Sequence, residues 1–328
     1  MLIVVEISGQ ILSSLDKKIL AELDKNCRAP SAQIAKKVRR SRQTVDYRIK
    51  LMVDGGIITN FVVSYNPHKM GYKINKVFFK IRNIPLRRKE LLNFLRNSDS
   101  VIWVGECAGA WDIIFGVFTK TDEDFFYFKN DLISKYSDII LDYQGKSFVD
   151  AFQYPKMYFT KSSSEPVKFA DKFVNNALDE LDFALLGAMV HNARIPTTEL
   201  AQKVNSTPRI VVTRLKKLES MGVIIQYRIG VNLPKLSLEH YKAIIKFDKY
   251  SEKEAKKLFE YVSKLSETQY LIQNMWDIEI EFVVNNNHDY YALIEGLKEQ
   301  FPYSMRSVES VQLLTDEWGL GFNKILKV

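Results

Sequence analysis

The stretch LDKKILAELDKNCRAPSAQIAKKVRRSRQTVDYRIKLMVDGGII, residues 15–58, decides the fold because it occurs twice. It aligns without a gap on residues 181–224, at a constant shift of 166 positions, with 14 identities in 44 positions. A second repeated segment follows: Trp111-Asp112-Ile113 recurs as Trp276-Asp277-Ile278, at a shift of 165 positions. Self-similarity at a fixed period is typical of repeated structural units. The sequence therefore predicts two tandem copies of one arrangement.

Three short helices are predicted at the start of each copy. Ser41 is positioned to cap the third helix of the first copy, and Thr207 to cap that of the second. The third helix of the first copy has an inward stripe at i, i+4 and i+7, made by Val45, Ile49 and Met52. Its outer face is polar and basic, which together with the two preceding helices predicts a helix-turn-helix. The alternating stretch from Ile57 to Tyr65 predicts the wing.

The rest of each copy changes to a mixture of strand and helix patterns. Residues 73–149 predict the order β-α-β-β-α-β, and residues 239–314 predict the same order. This is the split βαβ, ferredoxin-like order. The predicted fold class is therefore α+β, with two tandem copies of a winged helix-turn-helix followed by a ferredoxin-like domain. The predicted boundaries are winged helix-turn-helix 1 at 1–66, sensor domain 1 at 67–153, a linker at 154–175 in which Pro166 opens a short helix, winged helix-turn-helix 2 at 176–232, and sensor domain 2 at 233–328.

A helix-turn-helix that opens with Leu-Asp-x-x-Ile-Leu at Leu15, followed by a wing and a ferredoxin-like domain, resembles the leucine-responsive regulator (Lrp/AsnC) family. The stretch from Gly105 to Ile113, Gly-Glu-Cys-Ala-Gly-Ala-Trp-Asp-Ile, resembles the Gly-x-Tyr-Asp-Leu segment of that family's effector-binding domain, with Trp111 in the Tyr position. The resemblance covers nearly the whole chain, twice. The tandem fusion departs from the family pattern, because typical members carry one copy and dimerise.

This resemblance implies a sequence-specific DNA-binding transcription regulator rather than an enzyme, without a cofactor. The implied partners are double-stranded DNA and an amino acid or a related small-molecule effector. By the same resemblance, the effector would bind in the first copy at Gly105, Gly109, Trp111 and Asp112. The alternative is that Asp112 bonds its own turn and that Trp111 lies in the core.

Basic residues gather on the third helix and its preceding turn in both copies, and this is the helix that docks in DNA in this motif. Lysine and arginine heads there would neutralise phosphates, and polar side chains would reach base edges. A solvated basic face is the alternative. The predicted DNA-binding residues are Arg39, Arg40, Ser41, Arg42, Gln43, Thr44, Tyr47, Arg48, Lys50, Thr207, Arg209, Thr213, Arg214, Lys216 and Lys217.

Composition sets further bounds. The chain has 328 residues, a formal net charge of +8 and a pI of about 9.1, a balance that favours an anionic partner. Cys27 and Cys107 are too isolated for a cysteine-rich zinc site, and the four histidines, His68, His191, His240 and His288, have no nearby ligand in sequence, so no metal site is predicted. The apolar residues 2–5 are too short for a signal peptide, and we expect a cytoplasmic protein with no membrane partner.

Two rival functions stay open on this scaffold. One is an enzyme resembling sirohaem decarboxylases, which would need basic or His residues around a tetrapyrrole pocket in the second domain. The other is an architectural DNA-binding protein with little sequence preference. The oligomeric state is also open: a linker of about 20 residues spans up to ~70 Å when extended, so the two sensor domains can pair within one chain as a pseudo-dimer, or two chains can self-associate.

Overall fold

The computed structural model describes residues 12–161, 165–190, 192–248, 251–275 and 277–318. Several predicted features lie outside these residues, namely the apolar residues 2–5, His191, Trp276 and positions 162–164 of the linker, together with the outer ends of the first and last predicted domains.

Each copy begins with three helices and a strand. In the first copy they are α1 (Ser14–Lys25), α2 (Ser31–Val38), α3 (Arg42–Asp54) and β1 (Ile58–Tyr65). In the second copy they are α6 (Glu180–Met189), α7 (Thr197–Lys203), α8 (Pro208–Ser220) and β7 (Ile224–Val231). The hydroxyl of Ser41 accepts a hydrogen bond from the Thr44 N–H at the start of α3, and Thr207 does the same for Ile210 at the start of α8. These side-chain caps begin the third helices where the sequence predicts them.

We call the three helices at the start of each copy a head. The strand predicted as a wing does not fold back on the head of its own copy. β1 pairs antiparallel with β7 of the other copy, and the two strands form a separate two-stranded sheet. The alternation of residue types along β1 predicts a strand but does not identify the strand with which it pairs, because hydrophobic periodicity depends only on the residues of one strand. We call this pair the ribbon.

The second part of each copy has the order β-α-β-β-α-β. In the first copy it comprises β2 (Lys73–Ile81), α4 (Pro85–Asn97), β3 (Val101–Gly109), β4 (Ile113–Thr119), α5 (Asp122–Lys135) and β5 (Ile140–Gln153). In the second copy it comprises β8 (Glu239–Phe247), α9 (Glu252–Val262), β9 (Thr268–Asn274), β10 (Ile278–Val284), α10 (Asn287–Gln300) and β11 (Met305–Leu313), with a short β12 (Glu317–Trp318) that pairs with β3. The strand orders are β5-β2-β4-β3 and β11-β8-β10-β9, which are equivalent.

The two four-stranded sheets join edge to edge at both sides. Residues 148–153 of β5 pair with residues 270–274 of β9, and residues 107–109 of β3 pair with residues 311–313 of β11. The result is one closed, antiparallel ring of eight strands, which we call the strand ring. Gly109 is required at the second junction, since its φ is +109° and a Cβ there would lie 2.6 Å from the Ser310 carbonyl oxygen.

The predicted linker contains ordered backbone. A 3₁₀ turn spans Met157–Phe159, and β6 (Val167–Ala170) pairs antiparallel with β5. The prediction of a helix after Pro166 is therefore wrong. β5 leaves a free edge beside residues 151–153, and pairing there satisfies backbone groups that a short isolated helix would leave to water.

Apolar side chains on one face of each sheet pack against the two helices of the same copy. Val77, Phe79 and Phe115 meet Leu91 and Leu95 in the first copy, and the second copy has a matching cluster. The opposite face of each sheet points into the strand ring. No helix in the described ranges is both long and apolar enough to cross a membrane.

Candidate nucleic-acid interface

The outer face of the third helix is open to solvent in both heads. Tyr47 is 61% exposed on α3, and Ile210 is 44% exposed on α8. Most of the predicted DNA-binding residues are exposed, namely Arg39, Arg40, Ser41, Arg42, Gln43, Tyr47, Lys50, Thr207, Arg209, Thr213 and Lys216. The others are half-buried, namely Thr44, Arg48, Arg214 and Lys217.

The half-buried cations are held by carboxylates at the start of the first helix of their own head. Arg48 donates through Nε at 2.6 Å to Asp16 and makes a second bond to the same carboxylate. Burial would raise the pKa of Asp16, but hydrogen bonds from Arg48 and Ser13 lower it below the ordinary value. Paired in this way, Arg48 fixes α3 against the start of α1.

The second head repeats this device. Arg214 binds both Asp179 and Asp182, and Lys217 donates to Asp182 at 2.9 Å. These pairs join positions 32 to 35 residues apart, a separation at which charge patterning along one helix gives no signal.

The cations that remain for a ligand differ between the heads. Arg39 sits at the end of α2 in a left-handed conformation, with φ of 54°, and Arg40 follows it with Nη1 2.9 Å from the Arg39 carbonyl oxygen. Neither has an ion-pair partner within the described part of the chain. Arg42 lies 3.4 Å from Asp46, and Lys50 is paired with Asp54.

In the second head, Arg209 and Lys216 are exposed and have no ion pair in the ranges that the structure describes. The Thr213 hydroxyl donates to the Arg209 carbonyl oxygen at 3.0 Å, within α8. Among the described residues, each head thus presents two unneutralised cations beside its third helix, at the turn before α3 in the first head and on α8 in the second.

Reciprocal hydrogen bonds lock the two heads together. Arg28 donates to the carbonyl oxygens of Ala193 and Ile195, and its repeat equivalent Arg194 donates to those of Cys27 and Ala29. Each guanidinium also lies over an aromatic ring of the other copy's strand, with distances to the ring centroid of 5.5 Å and 5.8 Å. The identity of Arg28 and Arg194 in the repeat is the sequence signal for this contact.

Backbone bonds beside the ribbon repeat the same symmetry. Cys27 N–H donates to the Tyr227 carbonyl oxygen at 2.9 Å, and Ala193 N–H donates to that of Phe61 at 2.7 Å. Asn66 and Asn232 form a second reciprocal pair with Val223 and Ile57, at 3.0 Å and 2.9 Å. Contacts that exchange equivalent residues define an approximate twofold axis between the heads.

The residues predicted for an effector lie at the β3–β4 turn, next to the second copy. The buried Trp111 packs against Phe78, with ring centroids 5.7 Å apart. The Asp112 carboxylate accepts from the Ile81 N–H at 2.8 Å and from Lys80 Nζ at 3.2 Å. The end of β2, and not the turn itself, therefore holds the Asp112 carboxylate, while Trp111 lies in the core as the alternative expects. Gly105 lies further along β3 beside Trp103.

Comparisons with known proteins agree with this architecture. Residues 12–59 match the model of a winged helix-turn-helix DNA-binding domain, and residues 178–219 match that of an AsnC-type helix-turn-helix domain. An uncharacterized HTH-type transcriptional regulator of Pyrococcus furiosus is 35% identical over 119 residues, which are 35% of this chain and 79% of that protein. The HTH-type transcriptional regulator FL11 of the same organism is 30% identical over 114 residues, covering 35% of this chain and 75% of its own.

A solved structure resembles the whole chain. The sirohaem decarboxylase NirDL matches over 96% of both chains, with a TM-score of 0.64 and 13% sequence identity. At this identity the likeness shows the fold alone. The relatives that the chain matches in sequence are transcription regulators, and most of each regulator's length is covered. With the AsnC-type helix-turn-helix in the second copy, these matches show that the chain belongs to the Lrp/AsnC family of transcription regulators.

Proposed function

We propose that this regulator binds duplex DNA as a pseudo-dimer within one chain, with α3 and α8 as two unequal reading helices. The observation that carries the proposal is the reciprocal pair of arginines, Arg28 and Arg194, which fixes the two heads in an approximate twofold relation. Twofold-related recognition helices meet equivalent faces of two half-sites on a duplex. One chain therefore supplies what a typical single-copy member obtains by dimerising.

The two reading helices present different side chains. Arg42-Gln43-Thr44 in the first head corresponds to Pro208-Arg209-Ile210 in the second, and Tyr47 corresponds to Thr213. Base edges in the major groove are distinguished by the donors, acceptors and apolar atoms that face them. Unlike helices select unlike half-sites, so the preferred operator is asymmetric.

The predicted contacts divide into two roles in this proposal. Free cations, such as Arg39 and Arg209, neutralise phosphates, and exposed polar side chains, such as Gln43 and Thr213, face bases. Arg48, Arg214 and Lys217 act mainly by holding the third helices in place, because carboxylates already engage them.

Selection of binding sites from random duplexes, followed by footprinting, tests the proposal. We expect an asymmetric consensus, protected by a single chain. Arg209→Gln with Lys216→Gln should disable the second head, and Arg39→Gln with Arg40→Gln the first. Because the heads are tethered, losing either should weaken specific binding by far more than half.

The matched control removes two exposed lysines of α9, in Lys253→Gln with Lys256→Gln, and should change nothing. A palindromic consensus whose protection survives loss of the second head contradicts the pseudo-dimer. Equal affinity for selected and random duplexes supports the architectural rival instead.

The tetrapyrrole rival has its own readout. A Soret band that shifts when sirohaem is titrated into the purified chain would favour it. In the second copy the basic groups inside the strand ring, Lys242 and His240, already face Glu279 and Glu281, which weakens that rival.

We also propose that each β-α-β-β-α-β body is a ferredoxin-like sensor domain and that a small polar effector binds beside the β3–β4 turn. The support is local: the Trp111 indole N–H is buried there without a hydrogen-bond partner among the described residues. The side-chain oxygen of Gln144, which lies opposite Phe78 in the ladder of β2 and β5, is also buried without such a partner in those residues. Trp111→Phe keeps an aromatic ring at this position beside Phe78 and removes the indole N–H together with part of the indole ring. A thermal shift caused by an amino acid in the wild type should be lost in this variant and in Asp112→Ala. A panel of amino acids that shifts neither protein would contradict an amino-acid sensor.

A further inference from the structure

Six charged side chains lie inside the strand ring, and we call them the inner charges. They are three lysines and three carboxylates: Lys76, Lys146, Lys242, Asp277, Glu279 and Glu281. All are buried, with side-chain exposure of 8% or less. Three positive and three negative charges sum to zero, and buried charges are tolerated when they are paired in this way.

The ion pairs bridge the two copies. Lys76 of the first copy lies 2.8 Å from Glu279 of the second, and Lys146 of the first lies 2.7 Å from Asp277 of the second. Lys242 completes the set from within the second copy, at 2.9 Å from Glu279 and in contact with Glu281. Asn274 also donates to Glu279, at 2.8 Å.

The register of the strands shows that the two copies contribute unequally. Lys76 is opposite Gly116 in the β2–β4 ladder, whereas its equivalent Lys242 is opposite Glu281 in the β10–β8 ladder. On the other side, Lys76 is opposite Lys146, whereas Lys242 is opposite Val311.

The copies also differ at two other pairs of equivalent positions. Phe78 of the first copy is opposite Ile114, whereas its equivalent Ile244 of the second copy is opposite Glu279. The first-copy counterpart of Asp277 is Asp112, which bonds Lys80 at the turn and is not one of the inner charges. The first copy thus gives two lysines to the inner charges, and the second gives one lysine and three carboxylates.

Burial and pairing act on these groups in opposite directions. Burial lowers the pKa of Lys76 to about 8, although Glu279 and Glu281 oppose the change. Burial would raise the pKa of Glu279, but Lys242, Lys76 and Lys146 hold it well below its usual range. Near neutral pH Lys76 and Glu279 are therefore charged, and each needs its partner.

Pairing of like copies would remove that balance. A ring of two first copies would enclose four lysines without a matching carboxylate from these positions. A ring of two second copies would enclose six carboxylates against two lysines. An uncompensated buried charge is strongly destabilising, so both like pairings are disfavoured while the unlike pairing is neutral.

We propose that the inner charges form a pairing code that admits one copy of each kind to a strand ring. The inner face of the first copy fits the inner face of a second copy and rejects another first copy. The code holds whether the partner copy belongs to the same chain or to another. This proposal does not depend on DNA binding, so the two can fail separately.

Charge reversal in the full-length chain tests the code. One variant carries Glu279→Lys with Glu281→Lys and cannot close a neutral ring by itself. The other carries Lys76→Glu with Lys146→Glu and has the opposite excess. When the two are co-expressed, the unchanged first copy of one chain matches the unchanged second copy of the other.

A tag on the first variant should therefore capture the second variant at least about tenfold more strongly than it captures untagged wild-type chain. This ratio corresponds to a difference in binding free energy of about 1.4 kcal/mol. Association through any outer surface would capture both equally, so the wild-type comparison removes it. A variant with Lys253→Glu and Lys256→Glu controls for charge reversal on the surface. Each interior variant alone should also melt below the wild type.

Either of two results overturns the code: equal capture of the second variant and the wild type, or interior variants that melt like the wild type. Where the separate variants are insoluble, co-expression decides, since recovery of both chains in solution supports the code and continued loss of both refutes it.

Discussion

Arg39→Gln with Arg40→Gln removes two cations that the fold leaves available to a polyanion. Both are exposed at the turn between α2 and α3, and no ion pair engages them within the described ranges. Gln keeps a side chain at each position, and the left-handed backbone at Arg39 is no more strained by Gln than by Arg. The variant should fold like the wild type.

The magnitude follows from counterion release. Each phosphate contact contributes about 0.9 to the slope of log affinity against log salt, so losing two contacts should reduce the slope by about 1.8. Between 50 and 200 mM salt, a fourfold change, this amounts to a factor of about 12. The affinity deficit of the variant should therefore shrink by about 12-fold over that range.

Fluorescence anisotropy with a labelled duplex at four or five salt concentrations measures both slopes. Lys253→Gln with Lys256→Gln removes the same charge from α9, far from the proposed reading helices in sequence, and should leave the slope at the wild-type value. If the Arg39 and Arg40 variant also keeps the wild-type slope, the turn before α3 does not contact DNA, and the first head is assigned wrongly.

Three other predictions follow from contacts between and within the copies. Arg28→Ala or Arg194→Ala should each cost about 1–3 kcal/mol in the free energy of unfolding by urea, because buried carbonyl groups lose their donor; equal stability of wild type and variants would remove the arginines from the interface. Glu279→Gln with Glu281→Gln should lower the free energy of unfolding near neutral pH, and this difference from the wild type should shrink as pH falls below about 4.5. The pKa values of both carboxyl groups are lowered in the folded protein, so the carboxylates stabilise the fold above their ordinary pKa and lose this effect as they protonate. A difference that stays constant from neutral pH to pH 3 would contradict this. Burial raises the pKa of both thiols to about 12, so a thiol reagent at neutral pH should label them only after unfolding, which mass spectrometry can check at Cys27 and Cys107.

The sequence predicted the parts of the fold that depend on local pattern. The repeat, the three helices of each head and the caps at Ser41 and Thr207 follow from spacing and residue type, and the structure has them in place. Family membership was also predictable, because it rests on the Leu-Asp-x-x-Ile-Leu opening at Leu15 and the order of elements. These signals lie within a few turns or strands of the chain.

Features that depend on distant partners were not predictable. β1 reads as a strand in either case, but only the folded chain shows that β7 is its partner. Arg48 belongs to a basic helix by composition, yet Asp16 engages it from 32 positions away.

The inner charges illustrate the limit most clearly. Glu279 and Glu281 alternate with apolar residues along β10, which is the pattern of a strand with one face in water. In the structure that polar face is buried, because a second sheet covers it and supplies Lys76. A period of two tells which residues share a face and does not tell what the face meets.

The distribution of symmetry across the molecule links the two proposals. Contacts between the heads are nearly symmetric and use the same residue in both copies, as Arg28 and Arg194 do. The reading helices and the inner charges are the places where the copies differ. Unequal reading helices are useful only when every particle holds one of each kind, and unequal inner charges would enforce that composition. Fusion in one chain raises the local concentration of the unlike copy, while the inner charges disfavour pairing of like copies. The covalent linkage and the inner charges therefore both favour a strand ring that contains one copy of each kind.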